Sequence, residues 1–266
     1  MQKNDYPTRK SAEERYRDYM KDVNKWDAGT GKIDLEDMMV AVNKTPAVKM
    51  IVEKLLLSPN FLNIVVEGSA TPQNNVEAIN RLLAFRDNPK DRVIVFDISR
   101  QAVVDHQKYL SQHGLDDQII AVKTSMLKID LPDNVADFIL NDCAINYSDD
   151  ADQMRQTLIE IKRLLRSPES ICLLNIAVDH RYDSIDFGTD QEKVPSENIE
   201  ETGHFSVLPE PKSEQRQCWT VPFIKQVLKE IGFRFVEFDE KEGRSRFSQP
   251  SEYPISYRRF VLQKVS

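Results

Sequence analysis

Polar residues stand at the ends of buried-strand patterns in this chain, and their types are those that hold or deprotonate a ligand. Asn63–Val66 is a short apolar, β-branched run that breaks at Glu67 and continues as Gly68-Ser69-Ala70-Thr71, a turn of small side chains. A second run, Arg92–Phe96, ends at Asp97 with Ile98 beside it, and a third, Ala136–Leu140, ends at Asn141-Asp142. Polar residues at strand ends lie at the carboxyl edge where ligands of open α/β folds bind, and a small-residue turn lets backbone N–H groups approach a ligand. His180 follows an apolar run, Ile171–Val178, and His204 lies some way beyond it. Histidine titrates near neutrality and is the usual side chain for taking a proton from a reacting group, so both are candidate general bases. Each of these residues also has a plainer reading: Glu67 as a capping acid, Asp97 as a helix N-cap in competition with Ser99, the histidines as polar loop residues. His106 and His113 fall on a helical pattern and are read as packing or surface residues.

The elements that must position these side chains follow from hydrophobic period. Ser11 with Glu14 makes a capping-box signature ahead of Tyr16, Tyr19, Met20 and Val23. A second helix is expected over Leu35–Val42, and a third from Thr45 and Pro46 that stops before Pro59. The glycine-bearing segment Asp27–Lys32 is a turn without the spacing of a phosphate loop. From residue 62 strands and helices alternate. The expected strands are Ile64–Val66, Arg92–Phe96, Gln118–Val122, Ala136–Leu140 and Ile171–Val178. The expected helices are Asn75–Arg86, with Asn74 and Glu77 as cap partners, Gln101–His113 and Asp152–Arg166. This rhythm indicates a parallel sheet covered on both faces. Residues 179–218 lose the period and read as a long functional insert. A helix capped by Thr220 follows, and then two strands with no helix between them, an antiparallel finish.

Composition sets the frame. The 266 residues carry a net charge of −7, with 40% hydrophobic and 30% charged side chains, as in an ordinary globular protein. An acidic balance disfavours nucleic acid and anionic membrane as partners. The three cysteines, Cys143, Cys172 and Cys218, form no metal-binding spacing, and no metal is expected. No apolar run reaches membrane-spanning length and the N-terminus has no apolar leader, so a reduced, cytoplasmic protein is expected. Oligomeric state is not legible.

The order of elements over residues 60–265 resembles the class I S-adenosylmethionine-dependent methyltransferases, a Rossmann-like family with a mostly parallel seven-stranded sheet whose last strand is antiparallel. Four stretches carry the resemblance. The strand-turn-helix around Gly68 resembles the family's first motif, which implies that Glu67, Gly68, Ser69 and Ala70 line the cofactor. Asp97, with Ile98, resembles the acid that grips the ribose hydroxyls. Ser125-Met126 resembles the pair that brackets the adenine. Residues 133–165, DNVADFILNDCAINYSDDADQMRQTLIEIKRLL, resemble the fourth-strand block and the helix after it, which implies that Asn141 and Asp142 are cofactor-binding, with Asp142 contacting the cofactor or the substrate. The resemblance implies a three-layer α/β domain over residues 61–266, a helical extension over 1–60, S-adenosylmethionine as cofactor, and a small-molecule or protein acceptor. Trp26, Tyr182, Phe187, Phe205 and Trp219 fit either the wall of an acceptor pocket or the small core of a lid, and Asn146 and Tyr147 are candidates for the rim that Asn141 and Asp142 form.

The first motif departs from the family pattern. If Gly68 is its first glycine, Ala70 and Pro72 replace the others; if Glu67 is its acid, Ser69, Thr71 and Gln73 take the glycine positions. Pro72 would remove an N–H from the loop, and Ser125 stands where the family usually has an acid. Two other readings therefore remain: a non-catalytic binding or assembly protein on the same fold, and an NAD(P)-dependent oxidoreductase, which the absence of G-x-G-x-x-G disfavours.

Overall fold

The computed structural model describes residues 11, 13–14, 17, 42–68, 72–142, 144–148, 150–179, 204–206, 217–219, 221–238 and 255–265. Its centre is a twisted sheet built from β1 (Asn63–Glu67), β2 (Arg92–Asp97), β3 (Ile119–Lys123), β4 (Phe138–Asp142), β5 (Ile171–Asp179), β8 (Phe233–Phe238) and β9 (Ile255–Lys264). Two short strands, β6 (His204–Ser206) and β7 (Gln217–Trp219), add to it. The pairing order is β3-β2-β1-β4-β5, all parallel, and β5 then pairs antiparallel with β9, which pairs antiparallel with β8. The central seven strands thus form the mostly parallel sheet with an antiparallel last strand that the sequence predicts. Among the described residues nine strands are joined, because β6 and β7 pair antiparallel within the insert, and Trp219 of β7 pairs with Val178 of β5 beyond the end of β4.

Side chains alternate across these strands, so each face has its own core. On one face α1 (Pro46–Leu56), α2 (Pro72–Arg86) and α3 (Arg100–Gln112) cover Ile64, Val66, Val93, Val95, Leu140 and Leu173. On the other, α4 (Ala151–Leu164) and α5 (Val221–Ile231) cover Val65, Phe96, Ile139, Cys172, Leu174 and Phe260. Helix α1 presents Val48, Val52 and Leu56 at helical spacing, begins at Pro46 and ends before Pro59, as its sequence dictates.

Two boundaries beside the site differ from the expected ones. Helix α2 starts at Pro72, not near Asn75, so Asn74 lies inside the helix and is not its cap. Pro72 consequently removes no useful donor, since the first N–H of a helix has no intrahelical partner in any case. Strand β4 runs through Asn141 and Asp142, which makes both of them strand residues in register with their neighbours. Trp219 is fully buried, stacked on Phe223 in the α5-side core, and so is not a pocket wall. Its ring packs in the core, where the sequence suggests an acceptor-pocket wall. His106 is likewise a core residue, with Nδ1 2.8 Å from the Ala102 carbonyl oxygen. Among the described residues no helix is long and apolar enough to cross a membrane.

Candidate active site

Parallel strands with helices on both faces leave their carboxyl ends as the open edge where ligands of such folds bind. Along that edge the strand order sets Asp97 on β2, Glu67 on β1, Asn141 and Asp142 on β4, and Asn175 on β5 side by side. From β2 to β5 this row crosses three strand spacings, roughly 14 Å.

Glu67 ends β1 opposite Asn141 and is buried completely. Asn141 donates from Nδ2 to Glu67 Oε2 at 2.5 Å, while Asn141 Oδ1 accepts from the backbone N–H of Ile145 at 3.3 Å. Burial pushes the Glu67 carboxyl up to about 8; the Asn141 bond works against that rise and the charge of Glu160 adds to it. Glu67 Oε1 has no partner. A buried acid with an unpaired oxygen at a ligand-binding edge is a group in want of a donor, since such an atom is costly when left unmet.

Gly68 turns the chain immediately after it. Its φ is +71°, and a Cβ at this position would sit 2.5 Å from the Cβ of Ala144, the first residue of a 3-10 helix at Ala144–Tyr147. Its N–H donates to the Phe96 carbonyl oxygen at 3.1 Å. One glycine is therefore obligatory, for conformation and for contact together. Helix α2 begins four residues later at Pro72, so β1 and the N-terminus of α2 flank the segment, as in a nucleotide-binding crossing.

Asp97 closes β2, and its Oδ1 accepts from the Ser99 N–H at 2.8 Å. Ser99, not Asp97, is the N-cap of α3, accepting from Ala102 N–H at 3.2 Å. The N-cap of α3 is thus Ser99, while Asp97 accepts from the Ser99 backbone. Glu13, from the N-terminal segment, completes this corner. Its Oε2 accepts from Ser99 Oγ–H at 2.7 Å and from Gln101 N–H at 3.3 Å, and its Oε1 accepts from Arg100 N–H at 2.7 Å. The Ser99 hydroxyl, with those two backbone N–H groups and the charge of Lys123, holds the Glu13 carboxyl below its ordinary value.

Ile98 is about half exposed next to Asp97. Ser125 and Met126 lie in the turn after β3, where Ser125 Oγ accepts from Leu127 N–H at 3.2 Å and Met126 packs partly against the α4-side core. Asp142, in register with Asn175, accepts from its Nδ2 at 2.6 Å. Asn146 is fully buried and Tyr147 half-buried in the 3-10 helix. Ser69, Ala70, His180, Trp26, Tyr182 and Phe187 lie outside the described residues, as do the side chains of His204 and Phe205. The backbone of His204 pairs with Trp219, which places that strand two pairings from the carboxyl end of β5.

Sequence reasoning missed Glu13 and Asn175. Nothing local marks Glu13, whose partners lie more than 80 positions away. Asn175 did leave a signal, as the single polar residue in the apolar run ICLLNIAV.

The donors and acceptors on the edge suit a cofactor with a ribose diol and a cationic end. Asp97 offers a carboxylate at β2, Glu67 offers an unpaired buried oxygen at β1, and Gly68 follows Glu67 with a positive φ, packed against Ala144. Residues 74–173 match the model of a family described as a methyltransferase domain. Among curated proteins none matches in sequence. Solved structures with the same architecture include an S-adenosylmethionine-dependent methyltransferase from Clostridium acetobutylicum. It is 12% identical over 93% of this chain and 99% of its own, with a TM-score of 0.57. Another is a protein of Galdieria sulphuraria named for a proposed sarcosine dimethylglycine methyltransferase activity. It is 19% identical over 72% of this chain with a TM-score of 0.50, and the match spans 60% of its length. The cyclase SpnF is also similar, 12% identical over 81% of this chain and 78% of its own, with a TM-score of 0.55. Likeness at these identities establishes the fold.

Proposed function

We propose that the chain, whose residues 74–173 match a methyltransferase-domain family, is a class I S-adenosylmethionine-dependent methyltransferase that transfers the cofactor's methyl group to a small-molecule or protein acceptor bound over the carboxyl edge of β4 and β5. S-adenosylmethionine is the cofactor such a domain takes, and what it supplies when bound is an electrophilic methyl on a sulfonium. The observation that carries the reading is the row of Asp97, Glu67 and Asn141 along one sheet edge, beside a turn that only glycine at position 68 can make.

In this reading Asp97 accepts from the ribose hydroxyls, with Ile98, Ser125 and Met126 around the base. Glu67, Gly68, Ser69 and Ala70 face the amino-acid end, and Asn141 fixes the Glu67 carboxyl in place. Glu67 holds its proton at neutral pH in the cofactor-free chain, and a cationic group seated against Oε1 draws it into the charged form. Residues 1–60 form a helical cap and residues 179–218 an acceptor-facing insert. His180 or His204 serves as base where the acceptor needs one. Catalysis is by proximity and alignment. The protein works in the cytoplasm.

Calorimetric titration of the purified chain with S-adenosylmethionine, S-adenosylhomocysteine and NADH tests this. Binding of the first two, lost in Asp97→Ala, is the expected result. Binding of NADH alone would move the chain to the oxidoreductases, a reading that the antiparallel β9 between β5 and β8 already disfavours. No binding of any of the three would favour a non-catalytic or otherwise occupied member of the fold, the reading that the single glycine of the turn supports.

A further inference from the structure

We propose that Asp142 and Asn175 form an ammonium-binding subsite that selects an amine as the methyl acceptor, an inference that rests on the methyl-transfer reading. Strand β5 is apolar through its buried length except at Asn175, and a lone amide there is costly unless its groups are met. Only half of it is met. Asn175 Nδ2 donates to Asp142 Oδ1 at 2.6 Å, while Asn175 Oδ1 is buried with no partner, on a side chain nine-tenths buried. The orientation of this amide follows from chemistry, because a carboxylate faces a donor and repels a second oxygen.

What the pair presents is therefore an amide oxygen and a carboxylate, both acceptors, with a negative charge. A ligand that satisfies both must bring at least two hydrogens. An alcohol brings one, a thiol one weak one, a carboxylate none. A primary or secondary ammonium group brings two or more and a positive charge to match Asp142. The position fits an acceptor. Asp142 and Asn175 are register neighbours at the carboxyl edge, next along the row from Glu67 and Asn141. Side chains alternate across a strand, so Asp142 projects on the face opposite to Asn141, the one covered by α1, α2 and α3.

The subsite also accounts for the proton. An ammonium acceptor gives up one N–H proton to the Asp142 carboxylate, which passes it to water. The freed nitrogen lone pair forms the new bond to the methyl carbon as the old carbon–sulfur pair stays with the thioether product. The methylated amine leaves as an ammonium ion.

The test uses the full chain and two matched probe series: benzylamine, benzyl alcohol, benzyl mercaptan and benzoate, and their n-butyl counterparts. Ligand-observed NMR on protein saturated with S-adenosylhomocysteine reads binding, and labelled methyl transfer reads chemistry. The expected result is that amines alone bind and accept methyl. Asp142→Asn, which keeps size and removes charge, and Asn175→Leu should each lower amine binding and transfer by about 100-fold, with S-adenosylhomocysteine affinity unchanged. Preference for the alcohols, thiols or carboxylates overturns the proposal. So does amine binding unchanged in both variants, or failure of either amine to bind the loaded protein. Failure of S-adenosylhomocysteine itself to bind overturns the methyl-transfer reading, and is seen separately by calorimetry.

Discussion

Glu67 is the residue on which the site turns, because its energy changes sign with its partner. Buried and facing an amide, it holds a proton that an ordinary carboxyl would have lost. In the unfolded chain it titrates near its ordinary value, and in the folded, cofactor-free chain near 8. Below both values there is no difference between the two states. Between them the folded state holds the extra proton, so this group makes stability fall with rising pH, by about 1.4 kcal/mol per pH unit at most, and level off above the folded value. Glu67→Gln keeps the shape and removes the titration. Thermal melts of the cofactor-free protein from pH 5 to 9 should show the variant gaining on the parent as pH rises; parallel curves would refute the burial argument. The same variant should bind S-adenosylmethionine more weakly. Gly68→Ala acts differently, through strain. The left-handed φ costs a residue with a Cβ about 1–2 kcal/mol, and the contact with Ala144 adds about 1–3 kcal/mol of overpacking. Chemical denaturation should show that loss at every pH.

At the scale of elements, the corner between β2 and α3 shows how a site is assembled from distant chain. Asp97 ends β2 and accepts from Ser99 N–H, Ser99 caps α3, and the Ser99 hydroxyl is held in turn by Glu13. Ser99→Ala should therefore cost about 1 kcal/mol of stability through the lost cap and also weaken cofactor binding. Glu13→Gln should weaken binding, since Glu13 is only partly exposed and its carboxylate accepts from Ser99, Arg100 and Gln101 at this corner. Unchanged S-adenosylmethionine affinity in Glu13→Gln, measured by calorimetry, would mean that the contact holds the N-terminal segment and not the site. This corner also marks what could be read in advance. Ser11 with Glu14 declared a capping box and it is present, with Ser11 N–H and Oγ–H both donating to Glu14 Oε2 at 2.8 Å. The strand ends at Glu67, Asp97 and Asn141-Asp142 were legible because β-branched runs stop abruptly at polar residues. The start of α2 was not, because Asn74 and Glu77 imitate a cap while Pro72 accepts the first helical position more readily. Trp219 was misread because local sequence does not reveal that its strand folds back onto β5. Glu13 was invisible because its bonds depend wholly on the tertiary fold.

Over the whole molecule the two edges of the sheet carry polar residues of opposite kinds. The amino edge is closed. Arg86 and Asp91 form an ion pair buried on both sides, Asp91 Oδ1 accepts from Leu62 N–H at 2.8 Å, and Arg86 also donates to the carbonyls of Leu56 and Asn60. Beside it Asp137 accepts from Asn63 N–H at 2.8 Å and pairs with Arg166 at 3.0 Å. These bonds tie the end of α1, the end of α2 and the starts of β1, β2 and β4 together. At the carboxyl edge, by contrast, Glu67 Oε1 and Asn175 Oδ1 are buried and unmet. Stability is concentrated at one end and unsatisfied polarity is left at the other, where a ligand supplies what is missing. The division predicts that damage at the amino edge spares the chemistry. Removing one member of a buried ion pair strands the other, at a cost of about 3–5 kcal/mol, so Arg86→Met should lower the melting temperature by about 10 °C. The fraction that stays folded should bind S-adenosylmethionine with the parent's Kd at low temperature, whereas Asp97→Ala should do the reverse, with near-parental melting and lost affinity. If Arg86→Met weakened the intrinsic Kd of the folded protein as well, the two edges would be coupled through the strands, and the amino-edge ion pairs would belong to the site.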